Sequence, residues 1–317
     1  MVDTLLWIVA TFGAVMAVSH LVDADRLAPW HALTPWVMAP SGPIGLFALA
    51  TGRWLLAGFC LVVTTTLAML AWPLFARRAG EAGGPRLSVL YANVKFDQPS
   101  PQLAARALLD VVTAQRVEVL AVSEATTGFA QALDELGVAN HLPYRVGEPV
   151  TGPEASVLWS RLPVREVGDP GPGPTWDADA VIEVEGAPVR VIATHPLPPV
   201  GADMRPFWRP GLALTAERVR QSPEPVLVVG DLNAARWHRV WRRFVGGGLV
   251  SAHEASGRGW TSSWPSDRWF PPVVRLDHAL CGRGLEPLAV EDVRVPGSDH
   301  RGFVVSIAIS ERNARPR

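Results

Sequence analysis

The sequence predicts an α/β fold: a four-layer sandwich of two mixed β-sheets flanked by helices, preceded by N-terminal transmembrane helices. Two observations support this prediction. The first 76 residues carry very few charges, and from residue 87 onward short apolar strands alternate with helical stretches. A mixture of adjacent strand pairs and strand–helix crossovers is typical of sheets packed in layers rather than of a closed barrel.

The N-terminal segment contains three uncharged runs of membrane-spanning length, at residues 4–22, 27–52 and 54–76. The alternatives are a buried helical hairpin or, for the first run, a cleaved signal peptide. A signal peptide has a basic start and a single apolar run, whereas this chain begins with only Asp3 and continues with two more runs. Pro35, Pro40 and Pro43 interrupt the second run, so we expect it to be bent or re-entrant.

These runs divide the chain into a membrane anchor at residues 1–79, a linker at residues 80–86 and a larger domain at residues 87–317. The linker is inferred from the small, Gly-rich sequence ARRAGEAGGPR that follows the last run. In a three-span arrangement, three of the four arginines near the spans fall on the side of the larger domain. By the positive-inside rule this count favours a cytoplasmic domain.

The charge and cysteine content argue against a protein that coats nucleic acid and against a disulfide-rich fold. The first 85 residues hold equal numbers of acidic and basic residues, so the net charge of −1 falls on the remainder. A nearly neutral domain is not typical of proteins that coat duplex nucleic acid, and nucleic acid is therefore not a favoured partner. Cys60 and Cys281 lie in different parts of the chain and give no disulfide framework.

The larger domain shows the alternation of secondary structure from which the sandwich is predicted. Helices are expected near residues 102–115, 128–136, 212–220 and 234–244. Strands are expected at LSVLYAN, VEVLAVS, SVLWS, AVIEVEG, PVRVIATH, PVLVVGD, RLDHALCG, LAVEDVRV and FVVSIAI.

Polar residues of a restricted kind lie at the ends of these strands. They are Asn93, Glu124, His195, Asp231 with Asn233, Asp277 with His278, and Ser298-Asp299-His300. One Asp or Asn at a strand end is more often a helix cap or a turn former. Because side chains alternate along a strand, Asp231 and Asn233 point the same way. The complete set of carboxylates, carboxamides and histidines is what Mg²⁺ and phosphate chemistry require.

The motifs YANVKF, SEA, THPLPP, VVGDLNA, RLDHAL and GSDHRGF occur in this order along the chain. In order and separation they resemble those of the endonuclease/exonuclease/phosphatase superfamily, which includes apurinic endonucleases, sphingomyelinases and inositol polyphosphate phosphatases. The resemblance covers residues 87–309. With the N-terminal spans, THPLPP and WTSSWP, the chain looks closest to the membrane-bound bacterial branch that includes the teicoplanin-resistance proteins.

The resemblance implies a metal pole of the site. Glu124 would bind Mg²⁺, or Mn²⁺, with Asn93 beside it, and Asp299 would lie at the same pole, because hard cations prefer oxygen ligands. Some relatives carry an acidic residue two positions beyond the first Asn. This chain has Lys95 there, so Lys95 either faces the substrate phosphate or leaves metal binding to Glu124 and Asp299.

The resemblance also implies the catalytic roles. Asp231 would orient and deprotonate the attacking water, and Asn233 would position that water or donate to the phosphorane oxygens. His195 and His300 would contact the phosphoryl oxygens from either side, with His300 held by Asp277.

Two apolar loops are expected at the rim of the site and would choose the substrate. Residues 196–211 contain Trp208, and residues 259–272 contain Trp264. Tryptophans beside arginines suit a membrane–water interface, and we therefore expect Trp208 and Trp264 to contact substrate. The alternative is that these rings pack beneath the loops as a small core.

These observations predict a membrane-anchored, Mg²⁺-dependent phosphohydrolase that cleaves a phosphoester or pyrophosphate, plausibly lipid-linked. A membrane-tethered nuclease is the alternative enzyme, and a catalytically inactive binding protein is the alternative outside enzymes. The resemblance to the membrane-bound branch implies a multi-pass protein of the cell membrane whose catalytic domain lies outside the cytoplasm. The arginine count favours the opposite orientation.

Overall fold

The computed structural model describes residues 2–22, 24–75, 83–167 and 175–310. The helices are α1 (Val2–Ser19), α2 (Ala28–Ala32), α3 (Thr34–Met38), α4 (Ser41–Ala50), α5 (Trp54–Ala71), α6 (Pro101–Ala114), α7 (Thr127–Glu135), α8 (Gly201–Gln221), α9 (Arg239–Gly246) and α10 (Ala252–Ala255). The strands are β1 (Arg86–Asn93), β2 (Val119–Ser123), β3 (Tyr144–Val146), β4 (Ser156–Ser160), β5 (Val164–Glu166), β6 (Ala178–Val184), β7 (Ala187–Ala193), β8 (Val226–Asp231), β9 (Val250–Ser251), β10 (Asp277–Cys281), β11 (Leu285–Arg294) and β12 (Arg301–Ile309).

The strands form two mixed six-stranded sheets, which confirms the predicted fold class. Their orders are β11-β12-β1-β2-β4-β3 and β5-β6-β7-β8-β10-β9. Each sheet contains one parallel pair, β1 with β2 and β7 with β8, and each pair is joined through a helical crossover, α6 or α8. The other strand pairs are antiparallel.

Three hydrophobic cores hold the four layers together. The central core lies between the sheets, where Tyr91 and Phe303 of one sheet meet Val191 and Val229 of the other. A second core packs α6 and α7 on the outer face of the first sheet, and a third packs α8 and α9 on the second sheet. Strands buried on both faces read as continuous apolar runs, which is why VLVVG and SVLWS predict strands without alternating in polarity.

Some predicted elements have different bounds. The strands β3, β5 and β9 were not predicted, because segments of two or three residues are too short to show a period. The helix expected at residues 234–244 begins only at Arg239. The segment expected as a loop before residue 212 is helical from Gly201 onward, through Pro206 and Pro210.

Two helices of the N-terminal part are long and apolar enough to cross a membrane, Val2–Ser19 and Trp54–Phe75. The segments Asp25–Ala32 and Thr34–Ala50 form a third candidate span that is bent by 64°. This bend lies just before Pro35, in the proline-containing run that was expected to bend or re-enter. Residues 80–82 of the expected linker and residues 311–317 of the larger domain lie outside the described residues.

The N-terminal helices contact the sandwich directly. Ala71 and Leu74 share a buried cluster with Trp237 and Val274. The Trp36 indole N–H donates to the Val273 carbonyl at 2.9 Å.

A second contact between the two parts passes through His238. Its Nε2 lies 2.8 Å from the Ala28 carbonyl oxygen, and its Nδ1 accepts from the Ala235 N–H at 2.9 Å. Asp25 and Arg209 form an ion pair nearby. The loop that follows β8 is therefore bonded to the start of α2.

Burial of three histidines predicts a loss of stability in acid. Burial lowers the pKa of His238 and of His278 to about 3, and it lowers the pKa of His253 as well. The folded rings stay neutral while unfolded histidines take up protons near pH 6.5, so this stabilisation is complete above about pH 6.5 and is lost as the pH falls toward 3. Each ring contributes about 1.4 kcal/mol per pH unit in that window.

We expect the melting temperature of the detergent-solubilised protein to fall steadily between about pH 7 and pH 5, because the unfolded state binds more protons. His238→Asn, which does not titrate, should show a shallower fall over the same range. A melting temperature that is independent of pH in both proteins would contradict the neutral buried rings.

Candidate active site

The polar residues predicted from the sequence meet at one edge of the sandwich. Asn93 ends β1 and Asp231 ends β8, while Glu124 and His195 follow the neighbouring strands β2 and β7. Asp277 begins the antiparallel strand β10 and is paired in register with Asp231. Strand direction therefore explains the convergence, because parallel strands end, and antiparallel strands begin, at the same edge.

Asp231 lies at the centre of this edge and is 2% exposed. Its backbone N–H donates to the Tyr91 hydroxyl oxygen at 2.6 Å, and its Oδ1 accepts from the Asn233 N–H at 2.9 Å. The preceding residue must be Gly230, because a Cβ there would lie 2.0 Å from the Thr194 carbonyl oxygen. Backbone packing thus fixes where the Asp231 carboxylate points.

The other oxygen of this carboxylate, Oδ2, is surrounded by nitrogen atoms. The Asn93 side-chain amide donates to it at 3.2 Å, and Nε2 of His300 and of His195 lie 3.5 and 3.6 Å away. Burial opposes ionisation, but the charges of His300 and His195 outweigh it and lower the pKa of Asp231. Asp231 is therefore a carboxylate at neutral pH.

His300 is held by a second buried carboxylate. Its Nδ1 donates to Asp277 Oδ2 at 2.8 Å, and Asp277 is fully buried. Burial disfavours the charged ring, but Asp277 and Asp231 outweigh it and raise the pKa of His300 to about 10. The ring is thus an imidazolium whose Nε2–H faces Asp231, which is a donor suited to an anionic oxygen.

Glu124 lies beside Asn93 in the same cluster. Its Oε1 accepts from the Asn93 side-chain amide at 2.9 Å, and its Oε2 accepts from the Phe96 N–H at 2.9 Å. The side chain is 14% exposed, and His195 Nε2 lies 3.8 Å from Oε1. A carboxylate accepts about four hydrogen bonds or metal bonds, so Glu124 retains acceptor capacity on the open side.

Backbone strain concentrates in this cluster. Lys95, Glu124 and Asn233 have φ angles of 59°, 56° and 48°. Residues other than glycine rarely adopt these left-handed conformations, which cost about 1–3 kcal/mol and recur at functional sites. No sequence pattern predicted these left-handed backbone conformations.

Two groups of side chains in the cluster could hold a divalent metal ion. Within the described ranges, the compact group of three potential ligands is Asp231, Asp277 and His300. It differs from the predicted set of Glu124, Asn93 and Asp299. In the compact group the neighbouring carboxylates raise the pKa of His300 to about 10, so both ring nitrogens carry protons, and an imidazolium has no lone pair for a metal. The carboxylate of Glu124 fits a hard cation better.

Asp299 and Trp264 form one rim of the site. The Trp264 indole N–H donates to Asp299 Oδ2 at 3.1 Å, and Trp264 is 37% exposed. Lys95 follows β1, and its backbone N–H donates to Asn93 Oδ1 at 2.9 Å. Its ammonium is 3.6 Å from Asp97, and its side chain is about one-third exposed. The roles of Trp264 and Lys95 in substrate binding and of Asp299 in metal binding remain predictions.

The prediction that Trp208 contacts substrate at the rim of the site is wrong. Trp208 is 1% exposed and packs in the core beneath α8, where its indole N–H donates to the Leu232 carbonyl at 3.3 Å. The loop expected there is a helix, because burial of this large ring outweighs the low helix propensity of its prolines. Trp208 supports the loop after Asp231 from within and has no access to substrate.

Several supporting residues were not among the predicted site residues. Tyr91 is wholly buried and accepts from the Asp231 N–H. The Ser263 hydroxyl accepts from the Asp277 N–H at 3.3 Å, and the Ser298 hydroxyl donates to the Asn93 carbonyl at 2.7 Å. Asp177 accepts from the His195 N–H at 3.3 Å. Contacts of this kind join residues distant in sequence, so no local pattern marks them, although Ser298 stands beside Asp299 in the predicted motif.

Comparison with known proteins identifies the class. A model of the Endonuclease/Exonuclease/phosphatase family matches residues 90–300, and the chain therefore belongs to this family. It is an enzyme, a metal-dependent hydrolase of phosphate esters. No curated protein sequence matches the chain.

Solved structures share the fold at low sequence identity. TDP2 of D. rerio, complexed with a single-strand DNA product, has a TM-score of 0.57 at 16% identity and covers 70% of this chain and 98% of its own. Sphingomyelinase C from Streptomyces griseocarneus has a TM-score of 0.50 at 20% identity and covers 70% and 99%. A protein of this family from Beutenbergia cavernae has a TM-score of 0.53 at 18% identity, covering 71% and 72%.

Removing the charge of Glu124 should weaken metal binding. We expect Glu124→Gln to raise the Kd of the EDTA-stripped protein for Mn²⁺ at least about tenfold, because a neutral amide is a poorer ligand for a hard cation. Titration followed by electron paramagnetic resonance measures this. Glu148→Gln, at an exposed position, is the matched control, and equal affinities in the two variants would contradict the assignment.

Trp208→Phe should reduce stability without affecting substrate binding. The loss of the indole hydrogen bond leaves the buried Leu232 carbonyl without its donor, at a cost of about 1–3 kcal/mol. We expect a lower melting temperature and an unchanged KM, whereas Trp269→Phe, at a ring that is 95% exposed, should leave the melting temperature unchanged. A raised KM with an unchanged melting temperature would contradict this result and would indicate that Trp208 contacts the substrate.

Proposed function

We propose that the protein is a membrane-anchored, Mg²⁺-dependent phosphohydrolase that cleaves a lipid-linked phosphoester or pyrophosphate by in-line attack of water. The observation that carries the proposal is the Asp231 carboxylate, with Nε2 of His300 and of His195 at 3.5 and 3.6 Å. A base and two ring nitrogens that face one point suit hydrolysis of a phosphoryl group.

In this mechanism Asp231 accepts the proton of the attacking water at Oδ2, and its N–H bond to Tyr91 keeps the carboxylate in place. His300 donates from Nε2 to a phosphoryl oxygen, while Asp277 holds the ring in its charged form. His195 approaches the same group from the other side. Asn233, whose side-chain amide donates to the Pro196 carbonyl at 2.9 Å, positions the water.

Glu124, Asn93 and Asp299 would hold the metal ion. When bound, a divalent cation polarises the phosphoryl group and neutralises its charge. Mg²⁺ suits the all-oxygen donor set, and Mn²⁺ has similar ligand preferences. Asn93 links this pole to the catalytic pole, because its side-chain amide donates both to Glu124 and to Asp231.

The membrane part of the proposal rests on the N-terminal helices and on exposed rings. Two helices have the length and composition of membrane spans, and the sandwich is bonded to the segment between them. Trp260 and Trp269 are 49% and 95% exposed, as rings at a bilayer surface are. Sphingomyelinase C, which shares the fold, is named for a lipid substrate.

The branch and the orientation are part of the same proposal. The resemblance to the teicoplanin-resistance branch favours a catalytic domain outside the cytoplasm, and an odd number of spans from a cytoplasmic N-terminus is consistent with that arrangement. Reporter fusions at the C-terminus test it. Activity of a periplasm-type or cell-surface reporter agrees with the proposal, and activity of a cytoplasmic reporter alone overturns it.

Nucleic-acid cleavage is the second candidate, because D. rerio TDP2 shares the fold and its structure contains a DNA product. The near-neutral charge of the larger domain counts against it.

The deciding experiment uses detergent-purified full-length protein with Mg²⁺. Phosphate release from polyprenyl pyrophosphate and phospholipids is compared with cleavage of plasmid DNA and RNA. We expect release from the lipid substrates, reduced about 10²- to 10⁴-fold in Asp231→Ala and unchanged in the exposed-site control Asp134→Ala. Cleavage of nucleic acid alone would overturn the proposed lipid-linked substrate. Binding of Mg²⁺ without any hydrolysis would indicate an inactive binding protein.

A further inference from the structure

A cavity of about 240 Å³ lies between the N-terminal helices and the loops of the active site. We call it the junction cavity and define it by Trp36 and Leu67 on the helical side and by Trp237, Trp260 and Val274 on the sandwich side. Ligand sites in proteins are concave clefts lined mainly by apolar side chains. A space of this size between two packed parts of one chain is therefore a candidate binding site.

The walls of the junction cavity are mainly aromatic and aliphatic. The Trp36 indole N–H is already bonded to the Val273 carbonyl, so this residue offers the cavity its ring carbon atoms. Trp237 and Trp260 lie side by side, with ring centroids 6.1 Å apart, and Phe75 extends the row at 5.8 Å from Trp260. Surfaces of this kind bind hydrocarbon.

The polar residues of the lining carry no uncompensated charge. Arg236 is paired with Glu254, and Arg275 is bonded to Asp292 at 2.7 Å. His278 also lines the cavity, and burial lowers its pKa to about 3, so its ring is neutral. The cavity thus lacks the free cation that a phosphate group would need and suits an uncharged occupant.

The position of the cavity identifies the source of that occupant. Leu67 belongs to Trp54–Phe75, one of the helices with the composition of a membrane span. Trp36 and Trp260 are 56% and 49% exposed, as are aromatic residues where a bilayer meets water. A cavity that borders a candidate membrane span and two exposed tryptophans is positioned to take up a hydrocarbon chain from a bilayer.

The junction cavity also adjoins the active site through a backbone bridge. Val274 and Trp264 exchange backbone hydrogen bonds of 2.9 and 3.0 Å, and the Trp264 indole donates to Asp299. Val274 forms the cavity wall, and Trp264 forms the rim of the site.

We propose that the junction cavity holds one hydrocarbon chain of the lipid substrate while its phosphate group reaches Asp231. This inference rests on the proposed phosphohydrolase function and adds to it the part of the substrate that the protein recognises. The chain would supply binding energy remote from the scissile bond and select lipid over soluble phosphates.

The test compares hexadecyl and ethyl pyrophosphate, and the corresponding monophosphates, as substrates of the full-length protein in detergent. Ala39→Trp places a large ring in the cavity lining, and Ala50→Trp makes the same change in α4 outside the lining. We expect Ala39→Trp to raise KM for the hexadecyl substrate at least about fivefold and to leave the ethyl substrate unchanged. Ala50→Trp should change neither.

An unchanged hexadecyl KM in Ala39→Trp, or equal changes for both chain lengths, would overturn the proposal. A binding measurement separates this failure from failure of the proposed function. A hexadecyl lipid with a terminal diazirine is photolysed with the protein in vesicles, and labelled peptides are mapped. Labelling of the Trp36 and Trp260 segments that Ala39→Trp abolishes supports the chain site even if no substrate is hydrolysed, and labelling confined to other segments overturns it.

Discussion

Two buried carboxylates, Asp231 and Asp277, face each other in register across β8 and β10, and the active site depends on the charge placed between them. The imidazolium of His300 lies between them, with Nδ1 at 2.8 Å from Asp277 Oδ2 and Nε2 at 3.5 Å from Asp231 Oδ2. Without this cation, two carboxylates at one buried strand edge would repel each other and would lose the solvation of water. β12 must therefore begin at the same edge, which requires the two sheets to pack with these strand ends together.

The loop after β8 extends this constraint to the rest of the molecule, because side chains from other elements bind its backbone polar groups. Trp208 donates to the Leu232 carbonyl, the His278 ring lies 2.9 Å from the Ala234 carbonyl, and His238 bonds both the Ala235 N–H and the Ala28 carbonyl. The buried histidines and Trp208 thus fix a loop that carries Asn233, one of the proposed catalytic residues. Through Ala28, the N-terminal helices become part of the support of the active site.

The sequence was sufficient to predict the two mixed sheets and the edge at which the polar residues meet, because long apolar runs and strand-end motifs are local signals. It failed where a tertiary contact outweighs local preference. Trp208 lies in a helix that contains two prolines, since burial of its ring dominates. The left-handed conformations of Glu124 and Asn233, and the support from Tyr91, arise from contacts between distant segments, which leave no mark in a single sequence.

In the proposed mechanism the site has two poles, a metal pole at Glu124 and a charge-paired pole at His300 and Asp277. Anomalous scattering from a crystal grown with Mn²⁺ tests it most directly. We expect a peak within bonding distance of the Glu124 carboxylate, with Asp277 still bonded to His300. A peak between Asp231, Asp277 and His300 would contradict it, because the ring would then be a neutral ligand and could not donate to a phosphoryl oxygen.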